Sequence, residues 1–530
     1  MYRIHQIKLG LKEKKDVIPG RILKKIGGKD IKIKNWNIVK ESLDARDKKN
    51  IMWTYSVDFE LDKQISGTMQ QRMKKAGVEE APELKYHVPF AGDAAKKKSC
   101  TRPVIIGFGP GGIFAALVLA QAGLKPIVLE RGQNVDIRTN QVEKFWKEGI
   151  LDTESNVQFG EGGAGAFSDG KLTTGIKDIR IRKELEEFVR FGAPEEILYK
   201  QKPHIGTDIL RVLVKNIREE IISLGGEVRF GNRVTDIIIE DETVKGVKVL
   251  ETEKGKITGN EYFLEASHVI LAIGHSARDT FRMLKNKEIA MEQKPFSIGV
   301  RIEHPQEVID IAQYGKPGRE LGLPPAEYKI NYRCKEGLAQ GRGVYSFCMC
   351  PGGEVILASS AENMVVVNGM SLHARDSGAA NSAMLCDVRT EDFASDDVLA
   401  GVEFQEKYEH LAYENSGCSY KAPTAAWGEF ESGDAEAVLS CLPEFAVAAF
   451  KEAMPHLGKK LKGFDSTEAK LYAVETRSSS PVRILRDKSG HSLSARGLYP
   501  CGEGAGYAGG IASAAVDGIK MAEHIIEEYL

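Results

Sequence analysis

The stretch VIIGFGPGG, Val104 to Gly112, constrains this chain more than any other feature. Three apolar β-formers run into glycines at 107, 109 and 112, so an extended segment must turn sharply into the next element. The next residues, Ile113 to Ala122, are small and apolar and read as a compact buried helix; Pro126 to Glu130 then reads as a second buried strand. Strand, glycine turn, helix and strand make a βαβ unit, which belongs in a parallel sheet covered on both faces. The run from Pro103 to Leu124 carries no charge and is long enough to suggest a membrane span. Four glycines and a proline between Gly107 and Gly112 would interrupt the ladder such a span needs, so a strand–turn–helix is expected instead.

The spacing assigns a physical task to each glycine. Gly107 permits the tight turn, and Gly109, with Pro110 and Gly111 beside it, lets a pyrophosphate approach the backbone. Gly112 lets the helix pack closely on the strand. The helix N-terminus then offers free N–H groups and the positive end of its dipole to the phosphates. Glu130 ends the second strand, where a carboxylate can accept hydrogen bonds from adenosine ribose hydroxyls and would repel a 2′-phosphate. An ADP-bearing cofactor is therefore expected, with NADP disfavoured. NAD and FAD share this half and are not separated by it.

A second glycine-rich segment lies near the C-terminus. Gly497 to Pro500 reads as a short strand, Gly502-Glu503 as its carboxylate-bearing end, Gly504 to Gly510 as a turn, and Ala512 to Ile525 as a helix. This order resembles the second flavin motif of the glutathione-reductase superfamily. The resemblance implies that Glu503, after Gly502, holds the ribityl hydroxyls, and that Gly510 and Ile511 present their backbone to the flavin pyrimidine edge. That superfamily usually has aspartate where Glu503 stands. Three further phrases fit the same pattern: Glu130-Arg131-Gly132, Ala272-Ile273-Gly274 and Glu161-Gly162-Gly163-Ala164-Gly165. By the same resemblance Val234 presents its backbone to the adenine, and Gly162 and Gly163 lie near the phosphates or the flavin. Over nearly its whole length the chain is similar to a family of uncharacterised FAD-dependent dehydrogenases, also described as NAD(FAD)-utilising. The phrases Ile298 to Pro305, Cys348 to Gly353, Val367 to Ser371 and Glu475 to Pro481 carry that likeness.

At 530 residues the chain has room for about three domains. Residues 1–99 hold 23 Lys and Arg against 13 Asp and Glu, a balance of +10 in a chain whose net charge is −2. Unbroken alternation from Ile51 to Leu61 marks a half-buried strand; Tyr2 to Leu9 and Ile31 to Val39 read as strands, Val17 to Ile26 as a helix, and Arg72 to Ser99 as a linker. The expected fold is α/β. A single Rossmann-type FAD-binding domain (100–289 and 476–530) is interrupted by an α+β cap (290–475) and preceded by a small basic α+β module with its linker (1–99). Outside the Gly160 to Gly165 segment no second G-x-G-x-x-G occurs between Arg131 and Gly497, so the nicotinamide is expected, if used, as a transient reductant, NADH or NADPH.

Hydride transfer between an organic substrate under the cap and flavin N5 needs positioning groups, a charge near the ring and an acid or base. Lys171 is a candidate for the ring, against a structural turn. Arg301 and Arg477 are candidates to clamp a substrate carboxylate, against ordinary ion pairing. His275 is a candidate acid, against a hydrogen-bonded loop histidine. Cys501 reads as a packed strand residue. The eight cysteines, Cys100 among them, show no metal-site spacing and no C-x-x-C pair; no metal is expected. Cys348 and Cys350 are the only close pair, read as strand neighbours with diverging side chains, which argues against a simple disulfide. The N-terminus lacks the apolar core of a secretory signal, so a cytoplasmic location without a membrane partner is expected. The alternative to a small-molecule oxidoreductase is a flavin-dependent RNA-modifying or RNA-associated protein that uses the basic module, since basic patches support nucleic-acid binding. It is the less favoured reading.

Overall fold

The computed structural model describes residues 1–28, 30–82, 85–97, 101–253 and 256–530. Cys100 lies outside the described residues. The opening motif builds the centre of a five-stranded parallel sheet. Val104–Ile106 pairs with Ile127–Glu130 on one side and with Val269–Leu271 on the other; Glu227–Phe230 and Leu498–Pro500 complete the two edges. These strands are short and apolar because both faces are covered, one by helices Pro110–Gln121, Thr207–Ser223 and Ile511–Tyr529, the other by strands Asn232–Glu240 and Thr243–Glu253 with helix Arg278–Asn286. Helix Pro110–Gln121 is buried nearly all round, so it needs no polar side, which is why its sequence carries no charge. It crosses the C-terminal helix Ile511–Tyr529 so closely that a Cβ on Gly518 would lie 2.0 Å from the carbonyl oxygen of Gly111. The last strand and helix of the chain thus complete a sheet begun almost four hundred residues earlier.

Three further sheets of three or more strands accompany this layer among the described residues, together with two two-stranded ribbons. An antiparallel meander, Asn232–Glu240, Thr243–Glu253 and Lys256–Glu265, comes directly after strand Glu227–Phe230. A six-stranded antiparallel sheet runs Asn331–Arg333, Gly343–Pro351, Ala379–Val388, Phe296–Pro305, Lys470–Glu475, Thr424–Ala426 in spatial order. Helix Glu444–Lys460 packs its alanines and Phe450 into the core of that sheet. The apolar stretch from Ala435 to Met454 forms two helices, Glu436–Leu439 and Glu444–Lys460, because Pro443 lacks the N–H to continue one helix and instead stands at the N-cap position of the next.

At the front, strands Ile33–Asp44, Met52–Leu61, Tyr2–Gly10 and Val78–Glu80 form one antiparallel sheet in that order. Helix Ile18–Ile26 buries Ile18, Ile22 and Ile26, a period of four, against it. Much of the described part of segment 72–99, expected as a linker, instead belongs to regular elements. Val78–Glu80 is a strand paired with Tyr2–Ile4, and Gly67–Lys75 and Gly92–Lys97 are helices. A three-residue edge strand is too short to show alternation, which is why it was not legible. The module also docks on the rest of the chain: the Glu41 N–H donates to Tyr199 O at 2.7 Å, and the Gln201 N–H to Glu41 O at 2.9 Å. No helix among the described residues is long and apolar enough to cross a membrane.

Candidate FAD and substrate site

The glycine turn, the meander, the loop after residue 159, the segment 272–277 and the start of the C-terminal helix converge on one cavity of about 770 Å³. Two helices begin at its wall, at Gly109–Pro110 and at Gly510–Ile511. Each aims unpaired N–H groups and the positive end of a helix dipole into the same space. Gly107 sits at φ +96°, and a Cβ there would lie 2.4 Å from Ala272 O; the turn is open only to glycine. A Cβ on Gly112 would lie 2.0 Å from Gly107 O, so this residue seats the helix on the turn and does not line the cavity.

Glu130 is buried at the cavity wall and ties three loops together. Its Oε2 accepts from the Phe108 N–H at 2.8 Å, and its Oε1 from the N–H groups of Gly132 and Gly160, each at 2.9 Å. A carboxylate has roughly four acceptor positions, so one remains on Oε2. The expected ribose contact is therefore joined by a structural duty that sequence did not reveal. Arg138, wholly buried, donates to the carbonyls of Asn156, Val157, Glu161 and Gly163 and holds the 156–163 loop over the first helix. Burial pulls its pKa down to about 9. Gly163 lines the cavity; Gly162 does not, and stands behind it against Ala166.

Arg131, Val234, Ala272, Gly274, Gly502, Glu503, Gly510 and Ile511 all line the cavity, as do Gly107, Gly109, Pro110 and Gly111. The Glu503 carboxylate lies 3.3 Å from His275 Nδ1, so the loop histidine has an acidic neighbour at the wall. Cys501 is fully buried beneath Gly111, and burial pushes its thiol well up, as a packed strand residue should show.

The wall formed by the six-stranded sheet revises the catalytic candidates. Lys171 lines the cavity, and its ammonium donates to Met349 O. Arg301 does not line it. This guanidinium has no exposed surface and is forked onto Glu475 at 2.5 and 3.2 Å, with further bonds to Cys348 O, Asn381 and Asn368. Arg477 reaches the wall, yet donates twice to Glu409, at 3.0 and 2.8 Å, and to Ser276 and Ser360. Arg278 forks onto the same Glu409. Both candidate clamps are thus engaged by carboxyl groups of the chain itself, which satisfy the hydrogen-bond donors of the buried guanidinia.

Other wall residues were not singled out as candidates by sequence. Glu475 faces the cavity, and burial raises its pKa to about 7 although Arg301 pulls it down. The guanidinium keeps its proton, so Glu475 is the member of the pair that titrates. Asp169 and Arg375 form a buried ion pair in the wall, with Nε to Oδ1 at 3.0 Å. Cys348 lines the cavity, and the divergence expected of Cys348 and Cys350 is not found. Residues two apart share one face of a regular strand, and across the break in register between Phe347 and Cys350 the two thiols interact.

Family models match three consecutive parts of the chain. Residues 1–60 match a domain of unknown function, 101–290 a pyridine nucleotide-disulphide oxidoreductase domain, and 295–478 an FAD-dependent protein C-terminal domain-like family. With the glycine cradle and the two helix starts, these define an FAD-dependent oxidoreductase. A protein of Clostridium beijerinckii named only as uncharacterized is 46% identical over 544 residues, covering 99% of each chain, and the chain belongs to the family it represents. A digeranylgeranylglycerophospholipid reductase of Methanosarcina mazei is 28% identical over 171 residues, 32% of this chain and 37% of that one. A thiamine thiazole synthase of Methanococcus vannielii is 26% identical over 193 residues, 36% of this chain and 62% of that one. Among solved structures, a flavin-dependent brominase aligns at a TM-score of 0.38 and 14% identity, over 81% of this chain and 80% of that one.

Proposed function

We propose that FAD lies along the cavity with its ADP half on the Gly107–Gly112 turn and its flavin half toward Glu503, Gly510 and Ile511, and that an organic substrate reacts at the end walled by the six-stranded sheet. The observation that carries this reading is the convergence of two helix N-termini on one cavity, which suits an anionic pyrophosphate at one and an electron-rich reduced ring at the other. Bound FAD supplies two-electron hydride chemistry. The chain's own residues do the rest: Glu130 accepts from a ribose hydroxyl with its remaining Oε2 position, and Val234 offers its backbone to the adenine. The glutathione-reductase-like motif at Glu503 assigns that carboxylate to the ribityl chain.

Lys171, fixed on Met349 O, supplies positive charge at the substrate end, while Glu475, poised near neutrality, can hold or release a proton there. Arg301 and Arg477 act as positioning residues through Glu475 and Glu409. NADH or NADPH enters the cleft as a transient reductant. Domain boundaries at 99, 289 and 475 accompany this reading, with 290–475 as the cap. The test is an anaerobic flavin-reduction screen of the FAD-loaded protein with both nicotinamides and a panel of small organic metabolites. Bleaching by a nicotinamide and by one metabolite class is expected; protein that takes up no FAD on reconstitution would sink the proposal.

A further inference from the structure

Cys348 stands at φ +42°, a left-handed conformation that a residue with a Cβ rarely adopts, on a strand whose register breaks at that point. Such outliers persist only where the surroundings hold them, and at Cys348 they do. Arg301 donates to Cys348 O at 2.9 Å and reaches Cys350 Sγ at 3.9 Å, and the Lys171 ammonium donates to Met349 O between the two cysteines. The Cys350 Sγ lies 3.3 Å from Cys348 O and within interaction reach of the Cys348 thiol, so its single S–H is shared between these two acceptors. Cys348 is partly exposed on the cavity wall, and Cys350 is buried behind it. Even fully extended, two residues span at most about 7 Å, and the left-handed turn shortens this into the range a disulfide bridges.

We propose that Cys348 and Cys350 are a redox dithiol, with Cys348 the attacking sulfur and Cys350 the resolving one, that exchanges with small disulfides entering the cavity. The Cys348 thiolate attacks one sulfur of R–S–S–R; that bond breaks, Cys348–S–S–R forms and RS⁻ leaves. Cys350 sulfur then attacks the Cys348 sulfur, the second RS⁻ departs, and the Cys350 proton leaves with it. The two cysteines lose two electrons and the external disulfide gains them. FAD, when bound in this cavity and reduced, would supply the two electrons that, with two protons, restore both thiols. The electrostatics favour this division of labour. The hydrogen bond from Cys350, then the charges of Arg301 and Lys171, hold the Cys348 thiol well below the ordinary range, while Cys350 is pushed well above it.

The reduced full-length protein, treated anaerobically with glutathione disulfide, quenched with iodoacetamide and mapped by mass spectrometry, tests this without reference to flavin. A Cys348–Cys350 disulfide is expected in the wild type, a mixed disulfide trapped on Cys348 in Cys350→Ser, and neither in Cys348→Ser. Wild-type protein with both cysteines alkylated would overturn the proposal. So would Cys350→Ser that folds with the wild-type unfolding transition and carries no adduct. A second arm rests on FAD occupying the cavity: oxidised wild-type holoprotein should take up twice as many electrons per flavin as Cys348→Ser in a reductive titration. A mapped disulfide with equal titrations would leave the thiol chemistry standing and remove its coupling to the flavin.

Discussion

Glu409 has no exposed surface and neutralises two buried guanidinia, Arg278 and Arg477, while accepting from Thr476 Oγ1 at 2.6 Å. Burial alone would raise its pKa, but the two arginines outweigh burial and hold it far below the ordinary carboxylate value. Its folded pKa is depressed, so its stabilisation is complete above the unfolded value of about 4.5 and is lost as pH falls below it. Glu409→Gln should cost about 3–5 kcal/mol in denaturant unfolding at neutral pH, because it leaves two buried charges short of a partner. Its stability should also fall less than the wild type's on acidification. Glu475 has the opposite sign. Its raised pKa of about 7 gives stability that is complete below the unfolded value and lost as pH rises through neutrality. Glu475→Gln should accordingly lose less stability than the wild type between about pH 5 and about pH 8. A wild-type profile no steeper than the variant's in either window would refute the assignment concerned. None of this was readable from composition: Glu409 lies in a helical run with no motif around it, and only the fold brings Arg278 and Arg477 to it.

Among the elements, the contact between helices Pro110–Gln121 and Ile511–Tyr529 fixes where both N-termini point. Gly111 and Gly518 allow it, and Gly518→Ala would push a methyl into Gly111 O. Overpacking of this kind costs about 1–3 kcal/mol, and at this crossing it should also splay the two helix starts. The expected result is a lower melting temperature together with weaker FAD retention on gel filtration; loss of stability with unchanged FAD affinity would show that the contact does not set the cavity. Gly112→Ala acts one step earlier, between helix and turn, and should cost a similar amount with loss of bound flavin absorbance. The first helix was legible because its glycines are phased around a strand end. Gly518 was not, since a lone glycine in a helical pattern says nothing about which other helix crosses there.

For the molecule as a whole, the front module is fastened to the rest. Ile51 belongs to the same core as the six-stranded sheet, and Leu11, Leu43, Ala45 and Trp53 pack against that core. Removal of residues 1–60 should therefore lower the melting temperature of the remaining chain and expose apolar surface that binds a hydrophobic dye; an unchanged transition would mean that the module is merely tethered. The sequence by itself determined the βαβ unit, its phased glycine turn and the strand, turn and helix of the C-terminal segment, because each depends on backbone geometry and local spacing that a few neighbouring residues impose. Only the tertiary structure decided what the charged and nucleophilic side chains do. Arg301 and Arg477 became internal partners of Glu475 and Glu409, and Cys348 on the cavity wall was set beside Cys350 buried behind it, because burial and long-range pairing settle a side chain's charge and reach, and neither is written in its neighbours along the chain.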